Sequence, residues 1–298
     1  MKEKQTVYAL GFFDGVHLGH QTLLKACREM AENLDCLAGA ITFDTHPQSV
    51  IGKNPVSLIN TARDRQELLE KVGGLDRTIL LPFHEAMRKL SYLDFFRMMV
   101  DEYHAAGFVC GTDYRFGYKG QGNAQILQTL CQSENIPCKV LCKLKIDGIE
   151  VSSSQIRQLL SQGQVEKANA LLGHPHLLSG QVIPGQQLGR TLQTPTANLP
   201  LPEELDCLQH GVYICQALVD GKTYPAVTNV GIRPTVNGNR ANVESFLLDF
   251  SGDLYGKQLQ LSFYKFLRPE KKFSSLQELQ AEIQKNAQQT KNFFKKSQ

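Results

Sequence analysis

The sequence is short of several things, and each shortage removes a class of function. Its eight cysteines include no CxxC pair; Cys138 and Cys142 come nearest, bracketing the strand-like run CKVLCKL. That spacing writes neither a disulfide framework nor a zinc site. No apolar run is as long as a membrane span, and no charged-then-apolar leader precedes Thr6. Charge of one sign is also scarce: 32 Lys and Arg against 29 Asp and Glu leave a formal +3, and the one lysine cluster, KNFFKKSQ, ends the chain. A nucleic-acid binder normally carries a basic stripe, so neither nucleic acid nor a membrane is expected as a partner. The expectation is a soluble, cytoplasmic protein of a reducing compartment, a monomer or weak oligomer, without internal repeats.

What is present is an ordinary globular composition, 42% hydrophobic and 20% charged over 298 residues. That length predicts two domains of about 150 residues each. The first half alternates strand-like runs (TVYAL, CLAGAITF, RTILLPF, GFVCGTD, CKVLCKL) with helical patterns (QTLLKACREMAENL, TARDRQELLEKVG, SYLDFFRMMVDEYHAAG). Thr61 with Asp64, and Ser91 with Asp94, have the spacing of helix caps. Short apolar strands between amphipathic helices predict a doubly wound parallel α/β sheet. Two shorter helical stretches follow, closing at Gly173 and Pro175.

After His176 the pattern changes. Asp220–Gly221 reads as a hairpin turn, and YGKQLQLSFYKF puts Leu259, Leu261 and Phe263 on one face. A small antiparallel β-barrel is predicted, with a final helix capped by Ser275 and Glu278. The domains are therefore placed at 1–175 and 176–298.

The stretch GFFDGVHLGHQTLLKA runs from an apolar strand through a glycine-bracketed turn into a helix. His17 and His20 share a face if the helix starts there. They fit three roles: caps of the helix, metal ligands lacking a third partner nearby, or donors to phosphate at a helix amino end. Gly11, Gly15 and Gly19 favour the last by allowing close backbone approach.

The longer string GFFDGVHLGH resembles the turn of the HxGH nucleotidyltransferases. The likeness continues through TFDTHP, GTDYRFG, VSSSQIR, LGRTLQTPTANL, DGVYIC, VGIRPTV, VESFLLDFSGDLYG and FLRPEKKF, in the order found in bacterial bifunctional riboflavin kinase/FAD synthetases. It covers nearly the whole chain. The resemblance implies an amino-terminal FMN adenylyltransferase and a carboxyl-terminal riboflavin kinase, with ATP as co-substrate, Mg²⁺ as cofactor, riboflavin and FMN as substrates and FAD as product.

In the first half the resemblance implies ATP contacts at Gly11, Phe13, Asp14, Gly15, His17, His20, Ser153, Ser154 and Arg157. His17, His20 and Arg157 would act on the phosphates. Hydroxyls at a helix start with a guanidinium one turn on suit that task independently. The aromatic, glycine-rich loop with Asp113, Arg115 and Phe116 is implied as the flavin site, and His46 lies in the loop beside the nucleotide. In the second half Gly185, Gly189 and Arg190 suit a mobile loop over the phosphates, Thr196 and Asn198 are implied ATP and Mg²⁺ ligands, and Arg268 is expected as a flavin- or nucleotide-side contact. Glu244 is expected on a strand face with Phe246, Leu248 and Phe250, where a carboxylate must be paired or employed; the implied employment is general base. The sequence departs from the family's usual pattern at Thr45 (proline), Ser154 (threonine) and Gln193 (glycine), and fewer residues precede GFFDG. A single-activity relative and a flavin-responsive binding protein are the competing readings.

Overall fold

Alternating strand and helix signals, then strand signals alone, give two units with different architectures. A computed structural model describes residues 4–51, 56–184, 196–205, 207–235 and 238–296. Gly185, Gly189, Arg190 and Gln193 lie outside the described residues. Contacts divide the chain into Met1–Val56 with Ala62–Ser153, and Ser57–Thr61 with Ser154–Gln298.

The first unit is built on β1 (Thr6–Leu10), β2 (Leu37–Phe43), β3 (Arg77–Leu81), β4 (Ala105–Gly111) and, after a small hairpin of β5 (Arg115–Phe116) and β6 (Gly122–Asn123), β7 (Cys138–Leu141). A second hairpin joins β8 (Lys145–Ile146) and β9 (Ile149–Glu150). The main sheet is parallel with order β3-β2-β1-β4-β7. All five residues of β1 are buried, which is why it reads as a continuous apolar run rather than an alternation. Helices α1 (Leu18–Asn33), α2 (Pro47–Ile51), α3 (Ala62–Lys71), α4 (Glu85–Lys89), α5 (Tyr92–Asp101) and α6 (Ala124–Ser133) complete it. Leu10, Ile41, Phe95, Phe108 and Leu127 meet in its core.

Two details differ from the sequence reading. The helical pattern expected to run to AAG stops at Asp101, and Ala105–Ala106 open β4, because the sheet claims their backbone. Helix α6 went unread; Asn123 caps it, its Oδ1 accepting from the Ile126 N–H at 2.8 Å.

The second unit begins with most of α7 (Ser153–Ser161) and with α8 (Val165–Leu172), which the sequence reading grouped with the first domain. Gly173 ends α8 in the left-handed region at φ 76°. Six antiparallel strands follow: β10 (His176–Gln181), β11 (Thr196–Pro200), β12 (Gly211–Val219), β13 (Lys222–Thr235), β14 (Gly238–Leu247) and β15 (Gln258–Arg268). Their order is β10-β15-β12-β13-β14-β11, and an Ile183–Asn198 bridge brings the two edges of the curled sheet together into a small barrel. Val219 faces Lys222 across Asp220 and Gly221, both with positive φ (49° and 75°), as the Asp-Gly pair predicts. Leu259, Leu261 and Phe263 are each 0% exposed. The carboxyl-terminal helix, Leu276–Lys295, is capped by Ser275, whose Oγ accepts from the Glu278 N–H. The Glu278 carboxylate answers one residue away from the expected box, accepting from Ser274. Among the described residues no helix is long and apolar enough to cross a membrane.

Candidate active sites

In an open parallel sheet, ligands bind beyond the carboxyl ends of the strands where the strand order reverses. Here β2 and β3 lie to one side of β1 and β4 and β7 to the other, so the switch falls between β1 and β4. The histidine turn leaves β1 and the GTDYRFG loop leaves β4. Sheet order thus brings both motifs to one crevice of the first unit.

The turn is tightly wound. Phe13, Gly15 and Val16 all have positive φ (58°, 82° and 40°), two of them without glycine's freedom. Such a conformation persists only when held from outside. Thr42 Oγ1 donates to the Phe12 carbonyl at 2.8 Å, Ser153 Oγ donates to the Asp14 carbonyl at 2.9 Å, and Gln21 Nε2 donates to the Val16 carbonyl at 2.9 Å. Phe13 and Asp14 are buried beneath it.

His17 is both the cap of α1 and a candidate phosphate donor, and the first role sets up the second. Its Nδ1 accepts from the His20 backbone N–H at 3.3 Å. A neutral ring that accepts at Nδ1 carries its proton at Nε2. The His20 ring stacks on it with centroids 3.6 Å apart, and Phe13 meets His20 edge-on at 5.3 Å. Burial foremost, then His17 and the Arg65 charge, hold His20 well below the usual histidine pKa. Gly19 makes room for this stack: a Cβ there would lie 3.2 Å from two atoms of the His17 ring. Among the described residues no group of three His, Cys, Asp or Glu side chains gathers as a metal site.

Around the turn, His46 sets its ring edge-on to Phe12 at 4.4 Å, and Thr45 is exposed beside it. Ser153 opens α7 and Ser154 is exposed next to it; Arg157 follows one turn later, half-buried, in the second unit. On the β4 loop, Asp113 and Arg115 are exposed, and Lys143 reaches the Asp113 carboxylate at 3.2 Å. Phe116 is placed differently from its neighbours. It is 5% exposed and packs with Tyr92, Phe95 and Tyr114, so its ring serves the core beneath the loop.

Sequence reasoning missed Arg65. It is 0% exposed on α3, donates through Nη2 to the Phe43 carbonyl, and holds its guanidinium 4.1 Å from the centre of the Phe12 ring. Burial, partly offset by Asp14 and Asp44, lowers its pKa to about 10, so it stays charged. A signal for it existed: Arg65 precedes the buried Leu68 and Leu69 by three and four residues, a charge on the apolar stripe.

The second unit has its own cavity, of about 310 Å³, lined by Thr196, Asn229, Glu244, Phe246, Arg268 and Glu270 of the sheet side and by Leu279 and Ile283 of the carboxyl-terminal helix. It unites three candidates from distant parts of the sequence: Thr196, Glu244 and Arg268. Glu244 lies opposite Asn198 on β11 and opposite Asn229 on β13. The strand face differs from the expected apolar one. Val243, Ser245 and Leu247 turn to the buried side, while Glu244 shares the other with Asn242 and Phe246. Leu248 and Phe250 lie past the end of β14. Asn242, also missed, donates through Nδ2 to Glu244 Oε1 at 3.3 Å and to Asn198 Oδ1 at 3.2 Å, tying the carboxylate to the buried amide. Arg268 Nε lies 3.4 Å from Glu282, and its Nη1 donates to the Pro269 carbonyl at 3.1 Å.

Comparison with known proteins divides the chain in the same sense. A family model described as FAD synthetase matches residues 1–155, and one described as riboflavin kinase matches residues 172–294. The Bacillus subtilis bifunctional riboflavin kinase/FMN adenylyltransferase is 34% identical over 99% of this chain and 95% of its own length. The Pseudomonas fluorescens protein of the same description is 36% identical over 93% and 89%, and that of Escherichia coli K12 33% identical over 97% and 92%. A crystal structure described as a macrolide-efflux protein from Streptococcus pneumoniae superposes with a TM-score of 0.83 at 28% identity, covering 98% of this chain and 95% of that one. The paired family models and full-length relatives establish that the chain belongs to the bifunctional riboflavin kinase/FMN adenylyltransferase family.

Proposed function

We propose that the two units catalyse successive steps: phosphorylation of riboflavin to FMN by ATP in the barrel cavity, and adenylylation of FMN by a second ATP at the histidine turn. The observation that carries the reading is the His17 cap, which fixes an Nε2–H donor at the amino end of α1 beside the β1/β4 crevice.

At that turn an FMN phosphate oxygen attacks the α-phosphorus of ATP. The new P–O bond forms as the bond to pyrophosphate breaks. No protein nucleophile is required, so the residues work by placement and charge. His17 and His20 donate to phosphate oxygens beside Ser153; Ser154 and Arg157 are proposed as triphosphate contacts on the resemblance alone. Gly11, Phe13, Asp14 and Gly15 shape the backbone that ATP approaches. Asp113 and Arg115 present polar groups to the flavin, over a floor stiffened by Phe116.

In the barrel, Glu244 accepts the proton of the ribityl 5′-hydroxyl as its oxygen attacks the γ-phosphorus and ADP leaves. Asn242 holds the carboxylate in place, and Arg268 and the apolar helix side chains line the flavin end. The donor set around Glu244 suits a hard cation: a Thr196 hydroxyl and an Asn198 amide oxygen on β11, all oxygen. Mg²⁺ bound by Thr196 and Asn198 would supply neutralisation of phosphate charge. Gly185, Gly189 and Arg190 are proposed for the loop over these phosphates on the resemblance alone. The setting proposed is the cytoplasm, with small molecules as partners and the chain a monomer or weak oligomer; no disulfide joins the cysteines among the described residues.

The test is to incubate the protein with riboflavin, ATP and Mg²⁺, and in parallel with FMN, ATP and Mg²⁺, following products by chromatography. FAD from both is expected. Glu244→Gln should lower FMN formation at least about 100-fold and leave FAD formation from FMN intact. FMN formed at the original rate by that variant would refute the assignment of the base.

A further inference from the structure

Arg65 is a buried cation at the histidine turn that the motifs leave without a task. Its guanidinium is 0% exposed, yet only Nη2 is engaged, donating to the Phe43 carbonyl at the end of β2. Nε and Nη1 are buried and find no hydrogen-bond partner among the described residues. Guanidinium does not shed its charge under physiological conditions, and a buried N–H without an acceptor is unfavourable. The surroundings locate these donors. The guanidinium lies against the Phe12 ring, the Asp14 and Asp44 charges act on it, and His20 feels its charge. All belong to the segments that leave the carboxyl ends of β1 and β2, or to the first turn of α1.

We infer that Arg65 is a phosphate-binding residue of the adenylyltransferase site, its unmet N–H groups serving the β- and γ-phosphates of ATP, with the Phe12 ring as the cover that shifts when they engage. This rests on the adenylyl-transfer reading of the turn. The chemistry suits an arginine: a planar fork of donors matches two phosphate oxygens at once, and its charge opposes that developing on the leaving pyrophosphate. Arg65 neither gives nor takes a proton. The FMN oxygen bonds to the α-phosphorus, the bridging oxygen departs with pyrophosphate, and the guanidinium is the same before and after. The competing role is a brace linking α3 to Phe12 and Phe43. A brace leaves the two free N–H groups unexplained.

The experiment uses the full chain with Arg65→Met and Arg65→Lys, assayed in both directions: FMN with ATP, and FAD with pyrophosphate. The methionine variant should raise KM for ATP and for pyrophosphate about tenfold or more, with KM for FMN and FAD within about twofold and lysine recovering part of the loss. Riboflavin phosphorylation, measured in the same preparations, should be unchanged. Parallel rises in KM for FMN and ATP, or an unchanged KM for pyrophosphate, would overturn the inference and leave the brace. If the methionine variant makes no FAD because its first unit fails to fold, Arg65→Gln decides. That variant keeps a neutral donor for Phe43; glutamine performing as well as lysine refutes a charge-based phosphate contact, and lysine alone retaining activity supports it. Failure of the unaltered protein to make FAD from FMN would instead sink the underlying reading.

Discussion

Acidification should destabilise the barrel through His176, and the size of the effect follows from where that ring sits. His176 opens β10, is 3% exposed, and packs against Phe263 with ring centroids 5.4 Å apart. Its backbone N–H donates to Asn169 Oδ1 at 2.8 Å, but the ring Nδ1 is buried with no partner among the described residues. Burial, with a smaller push from His174, lowers its pKa from 6.5 to about 3. The folded state therefore holds the ring neutral, while the unfolded chain takes up a proton below the unperturbed value. Stability from this group is complete above the unfolded pKa, falls as the solution is acidified, and levels off only below the folded pKa. Each unit of pH in that window is worth about 1.4 kcal/mol, so lowering the pH from about 7 to about 5 should remove about 2 kcal/mol. The assay is urea unfolding of the full chain at a series of pH values, followed by tyrosine near-ultraviolet dichroism since the sequence has no tryptophan, against His176→Leu. His20 titrates in the same direction in both proteins, so the difference between them isolates His176. The leucine variant should lose about 2 kcal/mol less over that range. Identical pH dependence, or an NMR titration of the His176 ring near its ordinary value, would refute the reasoning.

Two further predictions concern the active sites. Asn242→Ala removes the bonds to Glu244 and Asn198, at 3.3 and 3.2 Å; it should reduce kcat for riboflavin phosphorylation about tenfold, the value of one to two modest hydrogen bonds, while FAD formation from FMN holds steady. An unchanged rate would show that Glu244 needs no such anchor. His17→Ala should cost about 1 kcal/mol of stability through the lost cap, and His17→Asn should restore most of it. Both should nevertheless lose FAD formation by about 100-fold, since neither carries an imidazole Nε2–H; recovery of activity by asparagine in thermal-melt and turnover assays together would reduce His17 to a cap.

Much of the molecule was legible in the sequence because much of it is decided locally. The Asp220–Gly221 turn, the Ser91 and Ser275 caps and the alternation of Leu259, Leu261 and Phe263 each depend on residues only a few positions apart, so neighbouring letters suffice. The ordered motifs likewise named the family and the residues to examine. What the letters did not decide depends on which strand lies beside which. Parallel pairing of β1 with β4 places the histidine turn next to the Asp113 loop, although about a hundred residues separate them. Alternation along β14 sends Glu244 and Ser245 to opposite faces, but only the curl of the barrel decides that the Glu244 face meets a cavity with Thr196 and Arg268 while the Ser245 face is buried. Phe116, in the loop read as the flavin site, is buried because α5 delivers Tyr92 and Phe95 against it. Arg65 went unread in the sequence and is buried because α3 turns that face inward. Local preference fixes the elements and the chemistry they can carry; long-range packing chooses which side chains meet, since burial and charge pairing are energies of neighbours in space rather than in sequence.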